Sequence, residues 1–327
     1  MFLKGLFLNG NFIRIRKFIV GEKKMDQATN LRRIIKEKCG KIHELKAYQK
    51  DRDALKINGP LVIAVTSGKG GVGKTNIVGN LAIAYQRMKK KTLIFDADLG
   101  LANIDIIYGI NPKHTIEEVI SGEKELSQII VNGPEGVAVI PASSGVQELA
   151  HLSEGHKISL LNEFDILNSK FDILLIDTSA GISSNVTYFN LAAQERVVVV
   201  TPEPTSITDA YALIKIMYNK HGVTNFYLLM NMVKGEKEAK AVYKNLSSVV
   251  GRYMGSISID YAGYIPYDKY LHESVSRRVP VSCCYPEACS SQSFKELANF
   301  LLSQAKGRPN DGNIKFFWKR LMAGAAD

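Results

Sequence analysis

No run of about 18 or more uncharged apolar residues occurs in this 327-residue chain, so nothing in it reads as a membrane-spanning helix. Cysteine is scarce. The four residues Cys39, Cys283, Cys284 and Cys289 follow no zinc-ligand spacing. The opening MFLKGLFLNGNFIRIRKFIV is apolar enough to suggest a signal peptide, but Arg14, Arg16 and Lys17 interrupt it and no small-residue cleavage site follows. Without a secretory signal a disulfide framework is not expected, and the cysteines read as reduced thiols. Met25 then reads as the native start, with residues 1–24 a non-native or disordered leader. There is one tryptophan, Trp318, and neither an internal repeat nor a long low-complexity segment.

The central region also lacks a basic surplus, although the whole chain carries +10. Residues 1–24 hold six Lys/Arg against one acid, 25–57 nine against five, and 306–327 five against two. The remaining 22 bases and 24 acids leave residues 58–305 at −2. A globular nucleic-acid face needs a basic stripe on the folded core, so no sequence-specific nucleic acid is expected as a partner. Basic extensions beside a near-neutral core suit a membrane surface or a protein.

From residue 58 onward, β-branched apolar runs alternate with helical patterns. Strands are expected at 61–66, 92–96, 137–141, 173–177, 197–201 and 226–231, and helices near 74–89, 155–169, 206–220, 235–249 and 292–305. Several of the strands are apolar throughout, as strands covered on both faces are. The fold class is therefore α/β: a doubly wound, mostly parallel sheet flanked by helices. Helical extensions are expected at both ends, the second joined by a linker at 307–312 (GRPNDG).

The segment SGKGGVGKT at 67–75 follows the first strand and opens a helix. It has P-loop spacing in Gly68, Gly73, Lys74 and Thr75. Backbone N–H groups of Gly68, Lys69, Gly70, Gly71, Val72, Gly73, Lys74, Thr75 and Asn76 can close around phosphate at the positive end of a helix. Lys74 would reach the β- and γ-phosphates of ATP, and the Thr75 hydroxyl would bind Mg²⁺. Asp177 closes the apolar run FDILLID, placed to hold Mg²⁺ in the Walker B manner.

Lys69, just after the first glycine, resembles the signature lysine of the deviant Walker A ATPases, the MinD/ParA family; the likeness covers about residues 58–305. It implies an ATP-bound homodimer in which Lys69 contacts the facing subunit's nucleotide, adding a second cation on the transferring phosphoryl group. It also implies that Asp98, in the DADLG segment at 96–100, orients the attacking water at the edge of the magnesium site formed with Thr75 and Asp177. Thr178–Gly181 resembles the family's mobile segment near the γ-phosphate. Asn231 stands where the family places an adenine-reading asparagine, and Pro266 lies in GYIPYD at 263–268, similar to the loop that closes over the base.

The N-terminal segment 25–57 resembles the FlhG (YlxH or FleN) branch through Asp26, Gln27, Ala28, Leu31 and Arg32. In that branch such a segment binds and stimulates FlhF, a signal-recognition-particle-type GTPase. At the other end, Ile314, Phe317, Trp318 and Leu321 fall on one helical face, with Lys315, Lys319 and Arg320 away from its centre. Such a helix can lie in the headgroup region of an anionic membrane, and the resemblance implies cytoplasmic localisation with membrane association in the ATP state. The domain plan is thus leader 1–24, partner-binding segment 25–57, ATPase domain 58–305 and membrane-targeting tail 306–327. Two other readings stand beside it. A MinD- or ParA-type positioning ATPase meets the objections of the long N-terminal extension and the near-neutral core. An iron–sulfur carrier would need paired cysteines, and CCYPEAC at 283–289 has a different spacing.

Overall fold

The computed structural model describes residues 59–98, 103–141 and 170–305, with Glu163 and Leu167 between them. The expected partner-binding residues Asp26, Gln27, Ala28, Leu31 and Arg32 lie outside the described residues, as do Ile314, Phe317, Trp318 and Leu321, the linker 307–312 and most of the helix expected at 155–169.

Strand β1 (Leu61–Ser67) leads into helix α1 (Lys74–Arg87) and strand β2 (Thr92–Ala97). Short helices α2 (Ile104–Tyr108), α3 (Ile116–Ile120) and α4 (Leu126–Ile129) follow, then strands β3 (Val131–Asn132) and β4 (Ala138–Ile140). After β5 (Ile173–Ala180) come α5 (Ser184–Ala192), β6 (Glu195–Val200), α6 (Pro204–His221), β7 (Asn225–Val233) and α7 (Glu236–Tyr253). The described part closes with β8 (Ser258–Pro266), α8 (Lys269–Ser276), α9 (Val281–Cys284) and α10 (Cys289–Ala305).

Together the strands make one sheet in the order β3-β4-β2-β5-β1-β6-β7-β8. All its pairings are parallel except that of β3 with β4. Side-chain alternation splits the core into two layers. Ile63, Val65, Ile94, Leu175, Val197, Val199 and Leu229 face α1 and α10. On the opposite face, Val62, Ala64, Phe95, Leu174 and Ile176 meet α4 and α5, while Val198, Val200, Leu228 and Met230 meet α6 and α7. Most residues of these strands are covered from one side or the other, which is why their sequences carry long apolar runs. Helix α1 is buried nearly all round because α10 packs over it, leaving Ile77, Val78, Leu81, Ile83 and Tyr85 without solvent contact.

The strand β8 was not expected, and its sequence explains the omission. It sits at the sheet edge and pairs only with β7, so few of its residues are apolar and buried, Ala262 and Ile265 among them. The stretch 263–268, expected as a loop, is accordingly strand through Pro266; only Tyr267 and Asp268 lie beyond it. Asp177 is likewise not a strand end. Strand β5 runs three residues further and keeps pairing with β1 across a bulge, Ser67 opposite Ala180. Asn231, too, lies two residues inside β7 rather than at its end.

Candidate functional site

The C-terminal edge of the central strands β2, β5 and β1 brings Asp98, Asp177 and the loop 67–75 together, at the edge where parallel α/β sheets bind ligands, while Asn231 and Pro266 lie on β7 and β8. Between β1 and α1 the chain turns through Gly71 and Gly73, both at positive φ. Gly73 (φ 91°) is the N-cap of α1; a Cβ there would stand 2.6 Å from the Asn231 amide nitrogen. At Gly68 a Cβ would fall 2.2 Å from the Asp209 backbone, so the loop lies directly on α6. No side chain caps α1 and its first turn carries no acid. The helix therefore directs its first N–H groups and its positive end at the loop, an arrangement that holds phosphate-like anions.

Lys74 is buried, and its Nζ donates to Ser67 Oγ at 2.9 Å; Ser67 Oγ in turn donates to the Lys69 carbonyl at 2.6 Å. Burial lowers the Lys74 pKa, against the raising influence of Asp177 and Asp98. Asp96 and Asp177 sit directly opposite each other on β2 and β5, both buried. Burial is the larger cause that raises both carboxyls. For Asp177 the Asp96 charge raises it further, with Thr75 and Lys74 pulling the other way. Removing Lys74 from this group would leave buried acids without their nearest cation.

Neither oxygen of Asp177 has a hydrogen-bond partner at bonding geometry, and both are buried. An orphaned carboxylate beside a threonine hydroxyl is a donor set of hard oxygens, which fits Mg²⁺. That ion keeps several waters and takes one or two carboxylates together with substrate phosphates. Among the described residues no cluster of three or more His, Cys, Asp or Glu would cage a metal unaided.

Lys69 behaves differently from Lys74. It is partly exposed, pairs with Glu203 and donates to Thr205 Oγ1 at 3.0 Å. Both partners lie at the start of α6, more than 130 residues away in sequence, and neither was expected from sequence. They reach the loop because β6 neighbours β1, a fact of topology that no local pattern announces.

Asp98 is half-buried just beyond the end of β2, its N–H donating to Asp96 Oδ1 at 3.2 Å. Asp96 Oδ2 also accepts from the Ile104 N–H at 3.4 Å, so this carboxylate anchors both sides of the segment between β2 and α2. From sequence, Asp96 is only the first acid of the DADLG segment. Asn231 is buried and donates Nδ2 to the Val72 carbonyl at 2.7 Å, bracing the loop, while its Oδ1 has no partner. Pro266 lies on the neighbouring strand, paired with Val233. Val72 is buried and Gly70 lies beside Ala180. Thr75 and Asn76 open α1.

Cys283, Cys284 and Cys289 are free thiols. Burial and then the neighbouring Glu135 push the Cys283 thiol up to about 12, which disfavours the thiolate that metal binding needs.

The family model described as ParA, "NUBPL iron-transfer P-loop NTPase", matches residues 60–302. The antiactivator FleN of Pseudomonas aeruginosa is 41% identical over 261 residues, covering 80% of this chain and 93% of FleN. The flagellum site-determining protein YlxH of Helicobacter pylori is 37% identical over 264 residues, 80% of this chain and 89% of YlxH. Among solved structures, the MinC:MinD cell division complex of Aquifex aeolicus matches with a TM-score of 0.60 at 26% identity, covering 74% of this chain and 96% of that one. MinD of Pyrococcus horikoshii OT3, solved with Mg-ADP, matches with a TM-score of 0.60 at 24% identity, over 75% and 97%, and bears on the fold alone. From the loop geometry, the sheet order and these likenesses together, the chain belongs to the ParA/MinD family of P-loop NTPases, in its FleN/YlxH (FlhG) group.

Proposed function

We propose that this chain is an ATP-hydrolysing switch that dimerises on ATP and regulates flagellar number or placement. The observation that carries the reading is the divergence of two lysines of one loop. Lys74 turns inward to the acids, while Lys69 turns outward to Glu203 and Thr205. A cation already outside the cradle is suited to a second subunit's phosphates. The printed names of FleN and YlxH support the flagellar role. Membership of a family that includes the MinC:MinD complex supports action through partners.

In this reading the N–H groups of 68–76 and the Lys74 ammonium bind the ATP phosphates. Thr75 and Asp177 would hold Mg²⁺, with Asp98 at the edge of its shell. When bound, that ion neutralises charge on the β- and γ-oxygens. Asp98 orients the attacking water and accepts its proton through a hydrogen bond. Asn231, with its Oδ1 available, and Pro266 flank the adenine. Residues 25–57 dock an FlhF-like GTPase through Asp26, Gln27, Ala28, Leu31 and Arg32. Residues 306–327 reach an anionic membrane surface from the cytoplasmic side, and a dimer doubles that weak contact. Among the described residues no helix is long and apolar enough to cross a membrane.

Trp318, the single tryptophan, reports on the tail. Its emission is expected to shift to the blue with anionic liposomes in ATP and Mg²⁺ but not in ADP. No shift in either state removes the membrane step and leaves the ATPase.

A further inference from the structure

The end of β5 is fastened on both sides at the mouth of the site. Toward the P-loop strand, the Gly181 N–H donates to the Ser67 carbonyl at 2.9 Å, and the Thr178 hydroxyl lies 3.1 Å from both the Val65 carbonyl and that of Ser179. Toward β2, the backbone ladder stops at the pair Ala97 and Thr178. One residue further on, a side-chain bond takes over: Ser179 Oγ donates to Asp98 Oδ1 at 2.9 Å. The Ala97 carbonyl lies 3.5 Å from the same hydroxyl. A serine has one proton to give, and the shorter, charge-assisted contact to the carboxylate is the stronger.

We infer that Ser179 is a positioning residue for hydrolysis, its hydroxyl fixing the orientation of the Asp98 carboxylate against the P-loop. The inference rests on the reading of Asp98 as the group that orients water, and adds to it a specific contact on which that orientation depends. The backbone of Asp98 is already held by Asp96, through the N–H bond at 3.2 Å. That bond acts on the main chain, whereas the bond from Ser179 acts on a carboxylate oxygen itself and so bears on the orientation of the group. Because Ser179 shares its strand end with Thr178 and Gly181, any shift of β5 against the P-loop is passed to Asp98. A group that must meet a water in one geometry loses rate when it rotates, without loss of substrate affinity.

The test compares Ser179→Ala with Ser179→Thr, each measured for ATP turnover, KM and melting temperature, with Asp98→Ala alongside. Ser179 is half-buried at a strand end, so alanine leaves no large cavity. The expected result for Ser179→Ala is a kcat about tenfold lower, the order of one hydrogen bond to a charged group, with KM and melting temperature unchanged. Threonine, which keeps the hydroxyl, restores most of the rate. Adding Ser179→Ala to Asp98→Ala has no further effect. An unchanged or raised kcat in Ser179→Ala, while Asp98→Ala is inactive, overturns the bridge and leaves the role of Asp98 standing. Full activity in Asp98→Ala removes that role and the bridge with it.

Discussion

Lys69 and Lys74 stand five residues apart in one glycine-rich loop, yet their surroundings are opposite. Lys74 is 7% exposed and faces Ser67, Asp177 and Asp98. The Lys69 side chain is 36% exposed and rests on Glu203 and Thr205. The inner lysine is held among buried groups even before any ligand binds, bonded to Ser67 and standing beside the acids. The outer one forms a surface ion pair, a contact contributing only about 0–1 kcal/mol, and so is readily given up for a better partner. The difference between a fixed and an exchangeable cation is what the proposed switch needs.

Substitutions sharpen this contrast. Asp98→Ala should bind ATP and dimerise but turn over about 10²- to 10⁴-fold more slowly, the usual range for loss of a general base; a phosphate-release assay reads it. Lys74→Ala should weaken ATP by about 100-fold, because charge-assisted phosphate contacts are lost. Unchanged affinity for a labelled ATP analogue would remove Lys74 from the cradle. Glu203→Gln should free Lys69 and strengthen ATP-dependent dimerisation by at most about fivefold, the limit set by an exposed ion pair. Weaker dimerisation instead would make Glu203 part of the subunit contact. Deleting residues 26–36 should leave ATPase activity unchanged while abolishing stimulation of the GTPase partner, and persistent stimulation would reject that assignment.

Local pattern made the inner half of the site legible in the sequence. A P-loop is contiguous, and Asp177 ends an apolar run that only a covered strand would carry. The outer half was hidden for physical reasons. Glu203 and Thr205 meet Lys69 only because β6 is laid beside β1, and Ser179 meets Asp98 only because β5 is laid beside β2. Such neighbours belong to strand order, which spacing does not encode. β8 escaped notice because an edge strand has no need of an apolar run; Gly263, at φ 100°, interrupts its pattern further. The doubly covered strands β1 and β6 run close to their expected limits, since burial on both faces writes itself into composition, whereas the end of β5 passes into polar residues at the site and so extends beyond its apolar run.

The most direct measurement is the mass of the particle in solution, by light scattering, with a non-hydrolysable ATP analogue and Mg²⁺, for the unaltered chain and for Lys69→Ala. The account predicts a dimer for the first and a monomer for the second, with the analogue bound at similar affinity by both. A Lys69→Ala protein that dimerises as well as the unaltered chain would contradict it, and the two lysines would then serve one subunit alone.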